Sequence, residues 1–127
     1  MIDVKTVIVA AHGSRQKASA AEVAVLAQKL DDKVKTHGSK DIQQVVHAFL
    51  QFCEPSLETM IQQLVDSGVD EMVIFPFFIS AGSHVQTDIP QTVETARQQY
   101  PDVQFHITRH LGILDDVEDL ILGEVAG

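Results

Sequence analysis

With 127 residues, 45 % of them hydrophobic, the chain can build one ordinary core and is read as a single domain spanning 1–127. Its net charge of −9 excludes the clustered Lys and Arg that nucleic acid or an anionic membrane requires, but leaves room for a small anionic ligand held by a few local groups. A single cysteine, Cys53, excludes an intrachain disulfide and a thiolate zinc cluster, and reads as a small, half-buried hydrophobe.

Taken in chain order, strand-like apolar runs at 6–11, 45–50, 72–79 and 103–108 alternate with amphipathic segments. The first and third runs are nearly continuous in apolar residues, as in strands covered on both faces of a parallel sheet. The fourth alternates Val103, Phe105 and Ile107 with Gln104, His106 and Thr108, which marks an edge strand. The first helical stripe is Val23, Leu26, Ala27, Leu30 and Val34, stopped at His37-Gly38. The second is Leu57, Met60, Ile61, Leu64 and Val65, entered through Pro55 and ended at Ser67-Gly68. Ile89, Val93 and Ala96 mark a third, with Asp88 as N-cap and Pro90 in the first turn. Val117, Leu120, Ile121 and Val125 mark a fourth, whose acidic first turn holds Glu118 and Asp119 behind Asp115-Asp116. That acidic run suits the helix dipole better than a carboxylate metal site. No run reaches the ~20 residues of a membrane span. Met1-Ile2-Asp3-Val4-Lys5 leads straight into the first strand without a cleavage site, so the expected location is the cytoplasm.

The order βαβαβαβα implies a doubly wound, four-stranded parallel α/β sheet with helices on both faces. Such sheets bind ligands beyond the carboxyl ends of their strands, where the strand order reverses. With an order 2-1-3-4 the reversal lies between the first and third strands. Their exit loops are Ala11-His12-Gly13-Ser14-Arg15 and Ser80-Ala81-Gly82-Ser83-His84, so two histidines distant in sequence converge. Gly13 allows a tight turn, and Ser14 and Arg15 suit a carboxylate or phosphate. His37, His47 and His106 read as structural; His110, with Arg109 beside it, lies on the same rim as His12. Two imidazoles without cysteine suit Co²⁺, Ni²⁺, Fe²⁺ or Zn²⁺ and leave coordination positions open.

Three stretches then carry a family resemblance: Val7-Ile8-Val9-Ala10-Ala11-His12-Gly13-Ser14-Arg15, Phe49-Leu50-Gln51-Phe52-Cys53-Glu54-Pro55-Ser56-Leu57, and Phe75-Pro76-Phe77-Phe78-Ile79-Ser80-Ala81-Gly82-Ser83-His84 with Asp88-Ile89-Pro90. With His110-Leu111-Gly112, they resemble the CbiX-type sirohydrochlorin chelatases in their short form, half of a two-domain class II chelatase. The resemblance implies ATP-independent insertion of a divalent metal into sirohydrochlorin, for cobalamin or siroheme synthesis. Cobalt is the first choice, with iron or nickel as the others, and the metal is a substrate. No Gly-x-x-x-x-Gly-Lys-Ser/Thr loop is present. By resemblance, His12 and His84 bind metal and serve catalysis. Gln51 stands where relatives often place a glutamate ligand. Ser14, Arg15, Gly82 and Ser83 would contact substrate carboxylates, and a macrocycle wider than one small domain suggests a homodimer. Two other readings are a non-catalytic metal or tetrapyrrole carrier and a histidine phosphatase-like enzyme. The latter is disfavoured because Ala11 stands where those enzymes place an arginine.

Overall fold

The structure is a computed structural model, and it describes residues 4–38 and 41–126, with the side chain of His84 outside that description. Residues 1–3, on which the reading of a leaderless start rests, also lie outside the described residues. The elements follow as β1 (Lys5–Ala11), α1 (Lys17–His37), β2 (Ile42–Phe49), α2 (Leu57–Asp66), β3 (Glu71–Pro76), α3 (Ile89–Gln99), β4 (Gln104–Ile107) and α4 (Val117–Ala126). A π-helical turn, His84–Asp88, precedes α3, and a 3₁₀ turn, Leu111–Ile113, precedes α4. All pairings are parallel and the strand order is β2-β1-β3-β4, so the reversal does lie between β1 and β3.

The β-branched run of β1 sits at the centre, and its two faces feed two cores. On one face Ile8, Ala10, Met72, Ile74 and Phe105 pack with Leu57, Ile61 and Leu64 of α2 and Ile89, Val93 and Ala96 of α3. On the other, Val9 and Val45 pack with Ala27 of α1, joined by Val7, Val23, Val34 and Ile42. Helices thus cover both faces.

Several boundaries differ from the sequence reading. Helix α1 begins at Lys17, six residues before the first apolar stripe residue, because Ala18, Ala20 and Ala21 favour helix without needing burial. Its stop is as expected: Gly38 is left-handed, with φ 71°, and donates its N–H to the Val34 carbonyl. Helix α2 starts at Leu57, two residues after Pro55, and is capped by Ser56, whose Oγ accepts the Thr59 N–H at 3.0 Å. Asp88 is already helical at φ −66°, ψ −47°, because the π-helical turn runs into α3 and leaves no extended capping position. Strand β3 ends at Pro76, before the apolar run does. Phe77 and Phe78 continue it by packing onto opposite cores, and Ile79 is 70 % exposed. The apolar stripe of α4 buries nothing: Leu120, Ile121, Leu122 and Val125 are 58–79 % exposed.

Both outer strands have partners on their free sides. On β2 the Val45 N–H donates to Asp31 Oδ1 of α1 at 2.8 Å, and the Phe49 N–H donates to the Pro55 carbonyl at 2.9 Å. On β4 the Phe105 carbonyl accepts Arg97 Nη2 of α3 at 2.9 Å. Asp31 is buried, and Lys35 binds its Oδ2 at 2.8 Å. The Lys35 hydrogen bond, then that of the Val45 amide, holds the Asp31 carboxyl below its ordinary 3.8, against the opposing effect of burial. A depressed folded pKa stabilises the fold above the unfolded value, and that contribution disappears as pH falls through the folded one. Asp31→Ala strands the Val45 donor and should cost about 1–3 kcal/mol at neutral pH. Chemical denaturation at pH 7 and again below pH 3 should show this difference shrinking in acid.

Candidate active site at the strand ends

The exits of β1 and β2 are zipped together. Leu50 N–H donates to the Ala11 carbonyl at 2.9 Å, and Gln51 N–H donates to the His12 carbonyl at 3.1 Å. Gly13 makes the close approach possible: its φ is +99°, and a Cβ built there would lie 1.8 Å from the Gln51 carbonyl oxygen. One residue on, the Cys53 thiol donates to the Ser14 carbonyl at 2.8 Å and accepts the Ser14 N–H at 3.3 Å. Cys53 is half-buried, as its composition suggested, but it acts as a polar clasp rather than a hydrophobe.

These contacts bring two sequence-predicted residues together. Gln51 Nε2 lies 2.8 Å from His12 Nε2, with His12 exposed. In this orientation the amide donates to an unprotonated imidazole nitrogen; rotating the amide would present its oxygen instead. Phe52 follows in a left-handed conformation, φ 69°, which costs a bulky residue roughly 1–2 kcal/mol. Its ring is 55 % exposed and meets His12 edge-on, centroids 6.4 Å apart. The Arg15 guanidinium carbon stands 4.7 Å over the same ring. Ser14 is half-buried and its Oγ accepts the Gln16 N–H at 3.0 Å, a turn contact that leaves its proton available for donation.

The β3 exit runs beside this loop pair, since Phe77 N–H donates to the Ala10 carbonyl at 2.8 Å. Gly82 and Ser83 are exposed, and the Gly82 carbonyl accepts the amides of Val85 and Gln86 at 3.1 and 3.0 Å. The His84 backbone opens the π-helical turn; its side chain, expected as catalyst and metal ligand, lies outside the described residues. The β4 exit supports the loop from below: Gly112 N–H donates to the Phe78 carbonyl at 3.0 Å, and a Cβ on Gly112 would lie 1.7 Å from the Ile79 oxygen. His110, weighed as a rim residue, is 8 % exposed and offers a ligand little surface, whereas Arg109 is exposed.

The remaining histidines sit as structural readings require. His37 ends α1, and His106 lies 3.3 Å from Glu71 on the β3–β4 surface. Burial in β2 holds His47 below the ordinary imidazole pKa, with its ring edge-on to Phe49. Glu54 accepts the Ser56 N–H at 3.0 Å at the entrance to α2. Among the described residues no three His, Cys, Asp or Glu side chains gather as a metal site, the 115–119 acids included. A groove of about 590 Å³ is lined by α2 and α3, with Glu58, Gln62, Gln91 and Thr95 among its residues and none from the strand-exit loops. Sequence reasoning missed Phe52 and the Cys53 clasp. The only signal was an apolar residue between Gln51 and Cys53 in a loop that otherwise needs none.

The fold is a parallel α/β sheet of the class that binds ligands beyond the carboxyl ends of its strands, and His12 and the Gly13 turn stand at that end, beside the strand-order reversal. The chain belongs to the CbiX family, whose family model matches residues 6–126. It is similar to the chloroplastic sirohydrochlorin ferrochelatase of Arabidopsis thaliana, 31 % identical over 124 residues, covering 94 % of this chain and 52 % of that protein. It is also similar to the sirohydrochlorin cobaltochelatase of Methanopyrus kandleri, 33 % identical over 85 residues, covering 67 % of this chain and 55 % of that one. The chain therefore spans about half the length of these relatives. Its fold matches a CbiX protein from Marinobacter aquaeolei VT8 with a TM-score of 0.81 at 23 % identity, covering 96 % of this chain and 94 % of that one. It matches the Bacillus subtilis sirohydrochlorin chelatase SirB, solved with cobalt, with a TM-score of 0.78 at 24 % identity, covering 97 % of this chain and 50 % of that one.

Proposed function

We propose that this chain is a sirohydrochlorin chelatase that inserts a divalent metal into the tetrapyrrole without ATP, with Co²⁺ as first choice and Fe²⁺ or Ni²⁺ as the others. The observation that carries this reading is the His12–Gln51 pair, Nε2 to Nε2 at 2.8 Å, across the exits of β1 and β2 and bordering the β1/β3 strand-order reversal of a CbiX-family chain. Insertion exchanges two pyrrole N–H protons for one dication. A neutral imidazole near pH 7 can hold the entering metal or accept one of those protons. His12 and His84 share these tasks, while Ser14, Arg15, Gly82 and Ser83 meet the peripheral carboxylates. The working compartment in this reading is the cytoplasm.

The test is the absorbance change of sirohydrochlorin with purified protein and Co²⁺, Fe²⁺ or Ni²⁺ in turn. Turnover above the uncatalysed rate supports the proposal; rates equal to the protein-free control for all three metals overturn it. Single-turnover insertion above that control separates an enzyme from a carrier.

Gln51 sets how tightly the metal is held. Its amide competes with the metal for His12 Nε2, and a neutral amide oxygen is a weaker ligand than a carboxylate. Gln51→Glu should therefore tighten Co²⁺ binding roughly tenfold, about 1.4 kcal/mol, without necessarily raising turnover. Competition against a chromogenic chelator reads this directly, and unchanged affinity would place residue 51 outside the metal's coordination.

The proposal extends to a homodimer. Two observations support it: α4 leaves Leu120, Ile121, Leu122 and Val125 uncovered, and some chelatase relatives, such as the Arabidopsis thaliana ferrochelatase of which the match covers 52 %, are about twice as long. Light scattering at micromolar concentration should give twice the mass of one chain; an active monomer would refute the dimer.

A further inference from the structure

Phe52 has three features that its own fold does not explain. Its backbone is left-handed at φ 69°, where a bulky side chain is disfavoured. Its ring is 55 % exposed, and it belongs to neither core cluster. The ring is nevertheless held in place, edge-on to His12 at 6.4 Å and beneath Arg15 at 4.7 Å. A strained, exposed and positioned aromatic indicates a surface kept for a ligand.

We propose that Phe52 is a specificity-determining platform for the substrate: the conjugated face of a carboxylated macrocycle stacks on its ring, beside His12, after a peripheral carboxylate draws Arg15 away. This inference rests on the chelatase reading and deepens it. The exchange is favourable because an exposed guanidinium–ring contact is weaker than a charge-assisted pair between guanidinium and carboxylate. Releasing Arg15 uncovers the ring face only when an anionic partner is present. One residue pair then checks for both properties of the substrate, a flat π-surface and an acidic periphery. A flat neutral ring system leaves Arg15 in place, and an acyclic polycarboxylate gains nothing from the ring.

The test uses Phe52→Gly, Phe52→Leu and Phe52→Tyr in the full chain. Metal-free sirohydrochlorin is titrated by absorbance, with Co²⁺ affinity measured separately by chelator competition. Phe52→Gly should weaken macrocycle binding by about tenfold to a hundredfold, with the loss falling on KM rather than kcat and Co²⁺ affinity unchanged. Phe52→Tyr should bind within about threefold of wild type, and Phe52→Leu should fall between Tyr and Gly. Thermal melting separates function from packing. Glycine relieves the left-handed backbone, so Phe52→Gly should melt at or above the wild-type temperature while binding poorly. Wild-type binding in Phe52→Gly, full rescue by Leu, or a lowered melting temperature that tracks the binding loss would each overturn the platform. Wild-type protein that binds sirohydrochlorin without metallating it would overturn the chelatase reading and leave the platform to the titration. Failure of wild type to bind would overturn both.

Discussion

His12→Ala is expected to insert metal about 100-fold more slowly than the wild type, or slower still, with folding intact. The size follows from what one imidazole does at this position. His12 stands immediately beyond β1 with its Nε2 2.8 Å from Gln51 Nε2, so under the proposed function its removal would take away both a nitrogen ligand and a proton acceptor. The side chain is exposed and belongs to neither core, so little stability depends on it and the loss is readable as chemistry. His84→Ala is expected to fall equally far, on the family resemblance and on the placement of its loop beside β1. Initial rates of sirohydrochlorin metallation, with circular dichroism as the folding control, decide both. A variant with near-wild-type rates removes its residue from the mechanism.

Gly13→Ala is expected to abolish insertion and to cost roughly 2–4 kcal/mol of stability. Two penalties combine there: a left-handed φ of +99° that alanine tolerates poorly, and a Cβ 1.8 Å from the Gln51 carbonyl. Relief requires the exits of β1 and β2 to separate, which breaks the Gln51–His12 backbone bond and moves the two side chains apart. Two other glycines isolate the contributions. Gly38 has φ +71° and open space around it, so Gly38→Ala pays only the backbone cost, about 1 kcal/mol. Gly112 lacks the positive φ but has the Ile79 oxygen 1.7 Å from a built Cβ, so Gly112→Ala reports the contact alone. Urea denaturation of the three variants should rank Gly13→Ala as the most damaging. A Gly13→Ala protein as stable as Gly38→Ala would mean that the two loops are not clamped.

The strand order and the convergence of the β1 and β3 exits were legible in the sequence because they depend on coarse quantities. Continuous apolar runs such as Val7–Ala11 can persist only in covered strands, and alternation at 103–108 marks an edge. Features set by backbone detail were not legible. The left-handed turn of Phe52 lies within the 50–55 loop that returns to pair Phe49 with Ser56, and no periodicity records it. The Cys53 clasp depends on the same return. The overextended reading of β3 had a different cause: Phe77 and Phe78 are apolar because each reaches a core from a loop. The α4 stripe was correctly helical, but periodicity shows only that a face is apolar, not which surface covers it.

The partners found for the outer strands carry one further consequence. An open sheet border offers unpaired backbone groups to any neighbouring strand, and a molecule with two such borders can propagate end to end. Here the Val45 and Phe49 amides and the Phe105 carbonyl are already engaged, and β4 is only four residues long. Strand addition is disfavoured at both ends. Growth into ribbons by strand addition is thereby discouraged, the proposed dimer would have to form through side chains, and the rim that carries His12 is not consumed in extending the sheet.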